Sequence, residues 1–185
     1  MRSFDVVKEE LELILPKSPL DFELVHAQLV LKWVLELKPD ADESLKIAAL
    51  AHDMDRAITG ITEKDLSDYS KINEFKKDHA LRSASFITDI LQKYEYPEEI
   101  IAKVKHLVEN HEAGGDDESD ILMDADSLAY FDYNIPSYLK RNGQERTIEK
   151  IRFMYKRLSL KAQKLVTQMN FSEPEIAELI KKSLR

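Results

Sequence analysis

An all-α fold is predicted for this 185-residue chain by three observations: helix-forming residues dominate, breakers are few, and apolar residues recur at helical spacing. Only 4 Gly and 6 Pro occur, and no segment shows a convincing strand pattern. A hydrophobic fraction of 43% can bury a sizeable core, so residues 1–185 are expected to form a single domain, an irregular helical bundle.

Phe4, Val7, Leu11 and Ile14 mark a first helix, which stops at Pro16-Lys17-Ser18-Pro19. A second runs over about 20–37, with Leu29, Val30, Trp33 and Leu37 on its apolar side. Asp42 or Ser44 can cap a third, LKIAALAHDMDRAI, which is apolar almost all round and so belongs in the centre. The polar stretch 59–78 reads as a long loop with one helical turn, of the kind that covers or shapes a site. Helices follow over about 79–94 and from Pro97, the latter carrying Ile101, Val104, Leu107, Val108 and His111 on one stripe. Gly114-Gly115 ends it, and an acidic loop, DDESD, leads to a buried helix, ILMDADSLAYFD. Asn142-Gly143 marks a break, 145–169 supplies one or two amphipathic helices, and Ser172 with Glu175 resembles a capping box for the last helix.

A net charge of −8 argues against grip on a nucleic-acid polymer but leaves room for a local positive site facing a small phosphorylated ligand. The absence of Cys excludes disulfides, thiolate ligands and a Cys nucleophile, and fits a reducing compartment. The first residues lack a signal-peptide core, and no apolar stretch approaches the roughly 20 residues that span a bilayer. A cytoplasmic chain with no membrane partner is therefore expected.

The 5 His stand at positions 26, 52, 79, 106 and 111. His52 emerges from the apolar third helix and Asp53 follows directly. An imidazole nitrogen and a carboxylate oxygen are standard ligands for Zn, Mn, Fe or Co. Neighbouring helical residues point about 100° apart, so one ion can meet both only from between their directions, which leaves a second Asp53 oxygen free to bridge. His26 shares a face with Val30 and Trp33, and Asp126 lies among Leu122, Met123, Ala129 and Tyr130. Unpaired polar groups there would cost stability, and a shared metal or a plain His–Asp hydrogen-bond network would satisfy them. Asp124 points roughly 200° from Asp126, on a face with Asp120 and Ser127 that looks wetter, so Asp126 is chosen. His106 lies roughly 140° round the helix from His111, beside Lys103 and Glu109, as a surface residue.

In Val25-His26, Ala51-His52-Asp53 and Ala125-Asp126-Ser127-Leu128 the chain resembles the HD superfamily of metal-dependent phosphohydrolases, over about residues 20–133. The resemblance implies an HD-type helical core, with the terminal helices packed on it, and a divalent metal that Mn, Fe, Co, Zn, Ni or Mg could supply. It also implies hydrolysis of a small phosphate ester, a nucleotide or related metabolite, by metal-activated water. Some HD families place two extra His between the doublet and the distal Asp; His79 and His111 are in that order and would hold a second ion bridged by Asp53. One ion and two are both open. Ser127 stands where an Arg is frequent, and Ala129 where an Asp is common. Arg56, one turn after His52, and Arg82, three residues after His79, can face a phosphate. Lys76-Lys77 and Lys140-Arg141 read as surface charge, and Asp55 or Glu112 as the group that manages the proton. The rival reading is a non-catalytic HD-fold sensor or scaffold that keeps a nucleotide or metal pocket.

Overall fold

The computed structural model describes residues 3–184, and every regular element among them is a helix. Helix α1 (Phe4–Ile14) is capped by Ser3, and its buried Val7 and Leu11 pack towards α3 (Glu43–Ala51). Helix α2 (Glu23–Leu37) packs on α3 and on α7 (Asp117–Ala129). As expected, α3 is the central helix. It is capped by Asp42, whose side chain accepts from the Leu45 amide at 3.0 Å, and all of Leu45, Ile47, Ala48, Ala49, Leu50 and Ala51 are buried. Burying a Leu or Ile side chain stabilises the fold by about 1.5–3 kcal/mol, so this helix anchors the first core.

The third helix does not run on through the His-Asp doublet. It ends at Ala51, and hydrogen bonds tighten to three-residue spacing through Met54 N–H to Ala51 O (3.1 Å) before α4 (Asp55–Thr59) begins. Gly60, at φ 73°, closes α4 in the left-handed region that glycine enters without strain. Short 3₁₀ turns follow at Glu63–Asp65 and Tyr69–Lys71. Helix α5 (Ile72–Lys93) then starts seven residues before the expected boundary. Phe75 stacks on His79 and Lys76 reaches Glu112, so tertiary contacts hold a first part whose own pattern is weak.

Helix α6 (Glu98–Asn110) follows Pro97, and His111 closes its last turn. The expected acidic loop is instead the first turn of α7: Asp116 accepts from the Glu118 and Ser119 amides, and acidic side chains suit a helix N-terminus. A π-helical turn, Tyr130–Asn134, carries α7 into α8 (Ile135–Arg157), which breaks at Gly143 (φ 79°, ψ 172°) without leaving a loop. Helices α9 (Leu160–Gln168) and α10 (Pro174–Ser183) complete the chain. The Ser172 capping box does not form, because α10 begins on Pro174 with Glu173 ahead of it and no side-chain cap. Pro favours that first position since its missing N–H has no partner there anyway.

One apolar cluster surrounds α3, and a second gathers Phe131, Ile151, Met154, Ile176 and Ile180; Trp33 and Leu37 of α2 touch both. Between them a cavity opens where α2, α4, the π turn and α8 meet, flanked by residues 62–69. No helix among the described residues is long and apolar enough to cross a membrane.

Candidate metal centre

Five elements bring six side chains together: His26 from α2, His52 and Asp53 from the turn after α3, His79 from α5, His111 from the end of α6 and Asp126 from α7; of these, His26, Asp53 and Asp126 line the cavity. Each is at most 9% exposed. His26 Nε2 lies 3.1 Å from Asp126 Oδ1, and His52 Nε2 lies 3.5 Å from Asp53 Oδ2 and 3.8 Å from Asp126 Oδ1. The other Asp53 oxygen, Oδ1, sits 2.7 Å from His79 Nε2 and 3.7 Å from His111 Nε2. The rings of His26 and His52, His52 and His111, and His79 and His111 are 5.2–5.6 Å apart.

Every one of these histidines has its other nitrogen tied back. Nδ1–H of His52 donates to the Ala49 carbonyl at 3.0 Å, that of His111 to the Val108 carbonyl at 2.7 Å, that of His26 to Asn134 Oδ1 at 3.0 Å, and that of His79 to Asp55 Oδ2 at 3.3 Å. Such outer bonds fix tautomer and ring orientation in metal-binding histidines and leave Nε2 for the ion. Burial pulls His52 down to about 4 and lowers His111 as well, so both imidazoles are neutral at pH 7, as ligation requires. For His26 and His79 burial is outweighed by Asp126 and Asp53, and both are raised. His52 Nε2 is wholly buried with no hydrogen-bond partner, an arrangement that is costly unless something else meets that lone pair.

The ligand atoms fall into two groups that share Asp53, one with His26 and His52 and one with His79 and His111; within each, all lie within 4.8 Å of one another. Imidazole and carboxylate together suit borderline divalent ions. These residues therefore fit one or two such ions, with Asp126 completing the first group.

A ring of charge encloses the centre. Burial would raise the Asp53 carboxyl, but Arg56, then His52 and His79, hold it well below the usual carboxylate range. Arg56 bonds Asp53 Oδ2 and lies 3.3 Å from the buried Glu23, a partner that no sequence pattern marked. Asp126 is likewise held low against its burial by Arg157 and His26. Arg157, at the end of α8, bonds Asp126, Glu112 (2.9 Å) and Ser127 Oγ (2.6 Å). A guanidinium thus reaches Asp126 and Ser127 from another helix.

Several expectations shift. Arg82 does not line the cavity: it forms a two-pronged bond with Asp55 at 2.9 Å and 2.9 Å, behind His79. Asp55 accepts from His79 and Arg82 and does not line the cavity, and Glu112, lowered to about 2 against its burial by Lys76 and Arg157, is ionised at neutral pH. Lys76 is not a solvated charge, since it pairs with Glu112 at 2.9 Å. Asp124 is no wetter than Asp126; it is buried at 6% and accepts from the Ser159 amide and hydroxyl, pointing away from the centre. Arg141 lines the cavity, whereas Lys140 is exposed. His106 is a surface residue, bonded to Asp116 at 2.8 Å.

The sequence of this chain matches, over residues 9–180, the model of a family described as a domain of unknown function (DUF4202). It belongs to that family. The matched span contains all six residues of the centre. No curated protein and no solved structure matches the chain.

Proposed function

We propose that this DUF4202 protein is a metal-dependent phosphohydrolase acting on a small phosphate ester, a nucleotide or related metabolite. The observation that carries the reading is the set of four buried histidines with Nδ1 tied back and Nε2 facing the carboxylates of Asp53 and Asp126. The four-part likeness to HD phosphohydrolases supports the same conclusion. When bound there, a divalent ion supplies Lewis acidity and lowers the pKa of a coordinated water towards about 7.

The chain's own residues do the rest. Asp53, His26 and His52, with Asp126 beside them, would hold a first ion, and His79 and His111 with Asp53 would hold a second. Arg56 lines the cavity beside Asp53, where its fork can turn to a phosphoryl oxygen and offset developing charge. Arg157 holds Asp126 in place, and Glu112, ionised at neutral pH, accepts hydrogen bonds rather than donating a proton. A cavity of about 150 Å³ suits a small ligand.

Elemental analysis of purified protein, followed by a screen of phosphate esters and nucleotides with and without Mn²⁺, tests the reading. One or two ions per chain and metal-stimulated phosphate release are expected. A chain that binds no divalent ion, or that is stabilised by nucleotides without turning them over, would remove the hydrolase assignment.

A further inference from the structure

Beyond the Asp53 centre the cavity continues along α8. Arg146, Lys150, Met154 and Arg157 follow the Gly143 break and lie within about 80° of one another round the helix. All four line the cavity. Arg157 marks the inner end by holding Asp126, while Lys150 lies about 10 Å and Arg146 about 16 Å back along the axis, from the rise per residue. Arg141, before the break, lines the same space.

These outer cations differ from the inner ones. Arg56, Arg157 and Lys76 are each bonded to a carboxylate. Arg141, Arg146 and Lys150 form no ion pair among the described residues and lie over the rings of Phe22 (4.8 Å), Tyr69 (4.9 Å) and Phe153 (5.7 Å). A second, independent observation is Tyr130, which lines the cavity at 4% exposure with a buried hydroxyl that has no hydrogen-bond partner. Burial, with Tyr138 and Glu63 nearby, raises its pKa, so the hydroxyl remains a donor. Glu63 is the one carboxylate lining the cavity away from the inner charge ring, and three unpaired cations outnumber it.

We propose that this end of the cavity is a second phosphate subsite, in which Arg141, Arg146 and Lys150 bind a phosphate other than the one at Asp53 and Tyr130 donates a hydrogen bond to it. The substrate is then a small molecule carrying two phosphates, one at Asp53 and one at this outer end of the cavity. The identity of the inner phosphate rests on the hydrolase reading; the subsite does not.

The test is the binding of inorganic phosphate to the full chain stripped of metal by a chelator, followed by calorimetry at low ionic strength, where charge contacts are least screened. Saturable binding is expected. The Arg146→Gln/Lys150→Gln double variant should weaken it about tenfold or more, from the loss of two charge-assisted bonds. Tyr130→Phe, which keeps the ring, should weaken it roughly threefold. Arg146 is exposed, so Arg146→Gln alone leaves the core intact and should weaken binding roughly threefold if the double variant does not fold. No saturable binding, or binding equal in wild type and variants, overturns the proposal. Neither metal nor turnover enters the measurement, so a failed hydrolase reading and a failed subsite give different results.

Discussion

His106 and Asp116 meet at 2.8 Å on the surface, and His26 and Asp126 meet at 3.1 Å in the interior. The pairs have the same chemistry and similar lengths, and they differ in what else each partner touches. Asp116 accepts from two amides and the Ser119 hydroxyl as the cap of α7, while Asn110 reaches the other nitrogen of His106. That pair is a helix end with a histidine resting on it. Around Asp126, His26 and His52 keep Nδ1 on fixed acceptors and turn Nε2 towards shared carboxylates, and Arg157 holds the remaining oxygen. A His–Asp contact becomes a candidate centre when several meet in one desolvated place, not when one is short.

The comparison breaks most visibly at His52. His52→Ala is expected to abolish high-affinity divalent binding and phosphate release, read by elemental analysis and phosphate assay, whereas His106→Ala should leave both intact. Arg56→Gln comes next. It leaves Asp53 and the buried Glu23 without their counter-charge, a loss of about 3–5 kcal/mol for a buried pair, so the metal-free protein should melt well below wild type. Added divalent ion should recover part of that loss by offsetting Asp53, and a melt unmoved by Arg56→Gln would contradict the electrostatic picture.

The interior pair also responds to pH. His26 and His79 have raised pKa values, so below those values each must release a proton before an ion can bind. Apparent affinity should therefore rise with pH in that window, by about tenfold per pH unit for each proton released, as read by competition with a chelator. A flat profile from pH 6 to 8 would show that neither proton is held. The smallest effects belong to the surface. Asp116→Ala should lower stability by about 1 kcal/mol through the lost cap, and His106→Ala by less, with no change in metal content.

Much of the first core was legible in the sequence. A run as apolar as that of α3 has no solvent face to spare, so its central position follows from the residues themselves. Asp126 faces His26 and His52 while Asp124 faces the other way, as residues two apart on a helix must, but the wetter face expected for Asp124 is not found. Asp124 is also buried, because α9 brings Ser159 to it from 35 positions away. The same limit hid Glu23, Asn134 and Arg157. Each resembles an ordinary polar residue near a helix end, and only the folded chain puts it on Arg56, His26 or Asp126.

By itself, then, the sequence determined the helical class and the order of the candidate ligand residues, since periodicity and residue chemistry are local properties of the chain. It also left open whether His79 and His111 belong with His26 and His52. The tertiary structure brought all four together near Asp53, set one of its oxygens beside His79 and His111 and the other beside His52 and Arg56, and withdrew Arg82 to Asp55. Those outcomes depend on how α2, α5, α6 and α7 pack round α3. The break after Ala51 matters too, since a change from helix to tight turn alters where neighbouring side chains point.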